Sequence, residues 1–546
     1  MDKRFFLALL LSLIVVAISQ VLFPSSAKKA APAVTQVAAP LADSVGQVGA
    51  VGQTVSAHRA DSTRDSAHVV AAEARATIAT DKAIYTFSNI GAGPVSLVMK
   101  DFANRSPSGG KVDLAVPGAK LLAYKLVVGA DTLPLEKTAF DESREAAAAG
   151  VPSLVYSATV SGTPVRITYS FGKAQYVFHV SATVGGTTGA YLLTSLPTTL
   201  RSAESDTTAD QQSLAYVFKP VRDHPGSVLF GKMDPGESRL ETGPLKWVAV
   251  KNKYFVLGIV ADHAAFTEAA FTGGARTTKV ATHATATAVQ PGTKGAFSFD
   301  VYAGPQEWKR LVAMGYDFDH VNPYGWKFLQ AVVHPVASLV IQLLLWMHNV
   351  LRLSYGWVLV ILGLAVRLVL WPLNQSTMRS SLRMQSVQPK LAAVQKKYKD
   401  DPRKQQEAIM KVYQEEGISP LAPLLGCLPA LLPMPIFFAL FFVFQNTIEF
   451  RGVPFLWLHD LSAKDPLYII PLLMGVSMYV LSWIGMRNAP PNPQTKMMSY
   501  MFPVMMTVFL LNMASGLNLY YTAQNLAALP QQWLIARERL RAQPSS

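Results

Sequence analysis

Apolar and polar positions change rhythm several times along the chain. Residues 5–23 form one apolar run behind Asp2, Lys3 and Arg4. The texture then turns to Ala, Val, Ser and Pro with few large apolar side chains. From Ile84 short alternating or β-branched runs take over, such as AIYTFSNI, PVSLVMKDF, VRITYSF and AQYVFHVSATV. Turn clusters such as Ser106-Pro107-Ser108-Gly109-Gly110 and Gly185-Gly186-Thr187 separate them. Many strands with turn signals and no helical period predict an all-β sandwich. Beyond Phe318 the pattern becomes helical, with long apolar runs.

These changes predict a multi-domain membrane protein. Residues 1–23 read as an N-terminal transmembrane anchor, with Lys3 and Arg4 in the cytoplasm. A cleaved signal peptide is the competing reading, because Ser25-Ser26-Ala27 resembles a small-residue cleavage site. Residues 24–78 read as a flexible tether, and 79–318 as the β-sandwich, outside the cytoplasm. Residues 319–546 are the helical part. In it, 335–352 reads as an interfacial helix with Trp346 at headgroup depth; a further span is the alternative. Spans are expected at 355–373, 418–445, 467–486, 497–512 and 516–536. With the anchor, they put both termini in the cytoplasm.

The span 355–373 contains one full charge, Arg367. At a rise of about 1.5 Å per residue the guanidinium lies roughly 18 Å from the Tyr355 end, past the bilayer midplane. The other four C-terminal spans contain no Asp, Glu, Lys, Arg or His. Arg367 therefore has no intramembrane carboxylate, and its expected partners are water and neutral dipoles. Snorkelling to the headgroups is the alternative. Asn518, Tyr520, Tyr521, Thr522, Gln524 and Asn525 crowd the last span. They read as the polar wall of a cavity opposite Arg367, against plain helix–helix hydrogen bonding. Met434, Met474, Met478, Met497, Met498, Met501, Met505 and Met506 suit a surface that accepts many apolar sequences, or simple packing.

Residues 374–417 predict a helical hairpin, its second helix opened by Asp401-Pro402. It carries Arg379, Arg383, Lys390, Lys396, Lys397 and Lys399, a density that marks the cytoplasmic side. The formal net charge of +14 fits contact with anionic lipid or nucleic acid. The basic cluster lacks the interleaved aromatics for base stacking, so no direct nucleic-acid contact is expected. The single Cys427 excludes an internal disulfide. No metal or cofactor signature and no catalytic triad is visible, and no enzyme activity is expected.

Five stretches in order resemble one family: VRLVLWPLNQS around Arg367, MRSSLRMQSVQPK in the hairpin, GCLPALLPMPIFFALFF from Gly426, FLWLHDLSAKDPLYIIPLLMG from Phe455 and SGLNLYYTAQNL from Ser515. Together they resemble the YidC-type membrane protein insertases. WVAVKNKYFVLGIV and VYAGPQEWKRL followed by GYDF resemble the periplasmic domain of the Gram-negative members.

The resemblance implies a bacterial inner-membrane insertase and chaperone, working alone or beside the Sec translocon on nascent membrane proteins. It implies a hydrophilic groove open to cytoplasm and lipid, with Arg367 as its charge. It implies a substrate slide at Met434, Phe437 and Tyr521, and a hairpin that receives substrate. The C-terminal tail is short, without the long basic extension some relatives use at the ribosome. Pro433 stands where close relatives often have a polar residue. Two rival readings are an ion-coupled solute transporter, which lacks intramembrane Asp or Glu, and a membrane-anchored carbohydrate-binding protein using the β domain.

Overall fold

The computed structural model describes residues 73–146, 153–172, 175–186, 189–274, 284–322, 327–369, 371–372, 375, 387, 390–391, 393–398, 401–415, 434–486 and 493–542. The expected anchor at 1–23 and most of the tether lie outside the described residues.

The β domain is a sandwich. Strands β1 (Arg75–Ala79), β2 (Ala83–Ser88), β3 (Gly93–Ala103) and β4 (Lys111–Asp113) form a small antiparallel sheet. The rest form one large antiparallel sheet: β5 (Ala123–Val128), β6 (Asp131–Leu133), β7 (Asp141–Glu145), β8 (Ser153–Val160), β9 (Thr163–Phe171), β10 (Val177–Val184), β11 (Tyr191–Leu196), β12 (Ala215–Pro220), β13 (Gly226–Leu229), β14 (Ser238–Lys251), β15 (Phe255–Ala261), β16 (Phe266–Gly273), β17 (Ala284–Pro291) and β18 (Ala296–Pro305). The period of two explains the layering. On β9, Val165, Ile167, Tyr169 and Phe171 point inward, each opposite an inward residue of β10: Val184, Ala182, Val180 and Phe178.

Tyr85 and Phe87 of the small sheet close over this row. Their rings lie 5.1 Å from Phe171 and 4.6 Å from Tyr169, respectively. Tyr169 keeps its hydroxyl satisfied by donating to Ala92 O at 2.5 Å. On β10, His179 bonds its cross-strand neighbour Asp300 at 2.8 Å, a structural pair on the sheet's outer face.

Strand β1 begins at Arg75, inside the stretch expected to be tether. Ala76 and Ile78 are buried while Arg75, Thr77 and Ala79 are exposed. One inward alanine and a single inward isoleucine in an Ala-rich context disguise the alternation. At the other end, Phe318 packs on Trp247 at 5.1 Å and on Tyr302 at 5.6 Å. Gly258 makes room for that ring, because a Cβ there would sit 2.8 Å from Phe318 Cζ. Val321, three residues past the expected border, also belongs to the β core.

Helices α1 (Thr207–Gln212) and α2 (Trp308–Met314) decorate the sandwich. The helical part holds α3 (Lys327–Leu351), α4 (Tyr355–Val369), α5 (Pro402–Glu415), α6 (Met434–Asn446), α7 (Ile469–Met486), α8 (Pro493–Leu510) and α9 (Ser515–Ala542). α3 starts well before the expected 335 and keeps Pro335 in its interior. By length and hydropathy, Val333–Leu351 and Ile469–Met486 are the described helices able to cross a membrane, while Tyr355–Val369, Phe437–Asn446 and Ser499–Leu510 are shorter apolar helices. Residues 416–433, including Cys427 and the first half of the expected span at 418–445, lie outside the described residues.

The loop between α6 and α7 locks onto the β domain. Arg451 pairs with Glu204 at 2.7 Å, with side chains 4% and 10% exposed. The same guanidinium donates to Ala103 O and Ala203 O. Arg105 reaches back to Asp460 at 3.2 Å. The start of α9 hangs on the same loop, with Ser515 N donating to Ala463 O at 2.7 Å and Gly516 N to Leu461 O at 2.9 Å. Asp465, fully buried, accepts from Ile470 N, Leu467 N and Trp457 Nε1, so it caps the start of α7.

Candidate functional site

Helix α9 is the hub of the helical part, packing against α4, α6 and α7. Its pairing with α4 depends on a missing side chain. A Cβ on Gly363 would stand 3.0 Å from Tyr520 O and 3.3 Å from Gln524 N. One Leu or Val there would push the two backbones apart. The contacts advance together along both helices. Leu359 lies by Gly516, Gly363 by Tyr520 and Gln524, and Trp371 O accepts from Gln531 Nε2 at 3.1 Å. The two helices therefore run parallel.

That register sets the height of Arg367. One turn beyond Gly363, it falls on α4 between the Gln524 and Gln531 levels of α9. The residue is half-buried, and its Nε is covered without a hydrogen-bond partner among the described residues.

The polar residues of α9 divide. Asn518 is fully buried and donates from Nδ2 to Leu510 O at 3.0 Å, which ties α9 to the end of α8; its Oδ1 is covered and unpaired among the described residues. Thr522 donates to Asn518 O at 2.7 Å, a bond within the helix. Asn525 donates to Ser477 Oγ of α7 at 3.1 Å. Asn525 thus serves the helix–helix contact, and Asn518 does so with one end only. Gln524 is half-buried, on the side near Gly363. Tyr520 is fully buried, with its ring 5.9 Å from Phe444 and 5.2 Å from Tyr521. The hydroxyls of Tyr520 and Tyr521 are both covered without a described partner. A buried hydroxyl left dry is costly, so both call for water or a visiting polar group.

The structure brings Phe437 and Tyr521 together, with ring centroids 5.5 Å apart. Phe437 stacks on to Phe441 at 6.5 Å, and Phe441 on to Phe509 of α8 at 6.4 Å. Phe441 and Phe509 extend the aromatic strip, and no sequence signal separates them from ordinary apolar filler. Met434 opens α6, and its side chain lies outside the described residues. In the hairpin, Lys390, Lys396 and Lys397 sit on helical backbone and are exposed. Arg379, Arg383 and Lys399 lie outside the described residues. Sequence reasoning passed over Ser477, Gly363 and Gln531. A lone Gly inside a helical run marks close approach and could have flagged Gly363. The partners of Ser477 and Gln531 lie tens of residues or more away in the chain, where local patterns cannot reach.

Residues 346–542 match the family model described as 60Kd inner membrane protein, and residues 75–335 match that of the YidC periplasmic domain. A membrane protein insertase YidC of Chlorobaculum tepidum is 30% identical over 87% of this chain and 84% of its own length. The chain belongs to the YidC family of membrane protein insertases. A second YidC, from Chloroherpeton thalassium, is 32% identical over 69% of this chain and 67% of that protein. Other YidC relatives align over about half of their own length. One solved YidC structure, described as an active insertase with its first transmembrane domain resolved, covers 85% of this chain and 93% of that one. It is 19% identical with a TM-score of 0.33, a likeness too slight to carry an argument. Membership fixes the broad class, a YidC insertase of the inner membrane with a β-sandwich ahead of a helical part.

Proposed function

We propose that this chain inserts membrane proteins through a hydrophilic groove flanking the close α4–α9 contact, charged by Arg367. The observation that carries the reading is the parallel α4–α9 register. It puts the Arg367 guanidinium, with one nitrogen covered and unpaired among the described residues, beyond Gln524 along a helix whose two tyrosine hydroxyls are likewise covered and without a partner among the described residues. Tyr520, Tyr521 and Gln524 line the groove, with Asn518 and Asn525 fixing its far wall. The polar flank of a nascent span enters from the cytoplasm, past the hairpin lysines. Arg367 and the neutral dipoles lower the cost of carrying polar residues part-way across. The apolar segment then leaves sideways along Met434, Phe437 and Tyr521 into lipid, driven by about 0.8 kcal/mol per buried CH2.

In this reading both termini are cytoplasmic and the β domain is periplasmic. The chain works alone or with the Sec translocon.

The test is the insertion yield of a single-span substrate with an acidic translocated tail. Arg367→Ala should lower it severalfold, and Arg367→Lys should restore most of it. Unchanged yield for Arg367→Ala across several substrates would remove the arginine from the mechanism.

A further inference from the structure

The seam between the β sandwich and α3 gathers three metal-competent side chains that insertion does not use. Asp319 and His320 lie on the single 3-10 turn Phe318–Val321, and His334 lies on α3. In sequence the two histidines are fourteen residues apart, with no ligand spacing to notice. The fold closes that gap. His320 Nε2 and His334 Nε2 stand 3.9 and 3.7 Å from the same atom, Asp319 Oδ2. One donor atom from each residue lies within 4.8 Å of the other two.

Ligands held tetrahedrally around zinc at about 2.0–2.1 Å are roughly 3.4 Å apart. The triad therefore needs shifts of a few tenths of an ångström along the carboxylate edges, and the two imidazole rings, whose centroids are 3.7 Å apart, must splay by on the order of 1 Å to share one ion. Both carboxylate separations exceed hydrogen-bond length, so they suit a shared ion better than direct bonding. The carriers are firm. Phe318 and Val321 bracket the turn with fully buried side chains, and Val333 and Ala337 seat α3 in the same way. All three residues are half-buried, and the His334 Nε2 itself is covered.

We propose that Asp319, His320 and His334 bind one divalent first-row transition metal, of the zinc class. Two imidazoles and one carboxylate favour such metals over calcium or magnesium, which want all-oxygen shells. Water fills the fourth position. The ion joins the last turn of the β domain to the first helix of the helical part, so its role is to brace the seam.

The test uses the full-length protein in detergent, without a polyhistidine tag, stripped by a chelator and then equilibrated with zinc or cobalt. Wild type should retain about one zinc per chain more than the His320→Ala/His334→Ala double variant. Cobalt should give the visible absorption of a tetrahedral site, lost in that variant. Zinc should raise the melting temperature of wild type and leave the variant unmoved. Asp319→Asn, which keeps the shape, should weaken zinc binding at least about tenfold. Equal zinc in wild type and double variant would mean adventitious binding and overturn the proposal. Should the double variant fail to fold, a wild-type cobalt sample without the tetrahedral bands overturns it equally.

Discussion

Single residues decide more here when they are charged and covered. Arg367 was legible in the sequence because a full charge inside an apolar run stands out against its neighbours. Arg451 was not legible, since nothing in RGVPF announces that its partner is Glu204, far upstream. Yet the structure makes it the better-satisfied cation, paired at 2.7 Å and bonded to two carbonyls. Burial raises the Glu204 carboxyl above its usual range, and Arg451 pulls it back. Removing one partner leaves the other charge buried alone, so Arg451→Ala should cost about 3–5 kcal/mol. Pairing Arg451→Met with Glu204→Leu should recover most of that loss. Thermal or denaturant unfolding of the three proteins checks it. A single variant as stable as wild type would show that the pair holds nothing.

At the scale of elements, the sequence displayed types well and contacts poorly. Strands such as β9 alternate cleanly, so their two faces follow from the sequence. β15 is buried at every position, and its unbroken apolar run YFVLGIVA reads as strand only because its neighbours do. Asn518 and Asn525 show where pattern reading stops. Polarity inside a span signals a task, but one side chain can serve a neighbouring helix or a cavity, and only the partner tells which. The α4–α9 crossing turns on Gly363. Gly363→Ala should be tolerated with a slight shift, because the added carbon would meet Tyr520 O at 3.0 Å and Ala523 Cβ at 3.2 Å. Gly363→Leu should separate the helices, lower the melting temperature in detergent by several degrees and reduce insertion more than Arg367→Ala does. Crosslinking between cysteines placed at Leu359 and Gly516 reports the separation directly. Retained crosslinking with full insertion would show that the crossing tolerates bulk.

At the scale of the whole molecule, the two-part plan was visible from rhythm alone, whereas the seam between the parts was invisible. Glu449 lies in that seam. Burial, helped by Glu307, pushes its carboxyl up to about 7. The folded value lies above the ordinary 4.5, so stability is fullest below about pH 4.5, declines as pH rises, and levels off above about pH 7. Glu449→Gln should therefore stabilise the protein by about 1–2 kcal/mol at pH 8, discounted because the residue is partly exposed, and by almost nothing near pH 4.5. A melting series across that range checks the sign, and a gain independent of pH would assign the effect to something other than the carboxyl. Arg451 and Arg105 belong to the same seam, and they bear on how the bundle can move. The ends of α6, α7 and α9 nearest the sandwich are moored to one stiff body. Any parting of these helices must then be wedge-shaped, widest at the end remote from the β domain. A slot of even width would have to stretch the loop that Arg451 ties to Glu204.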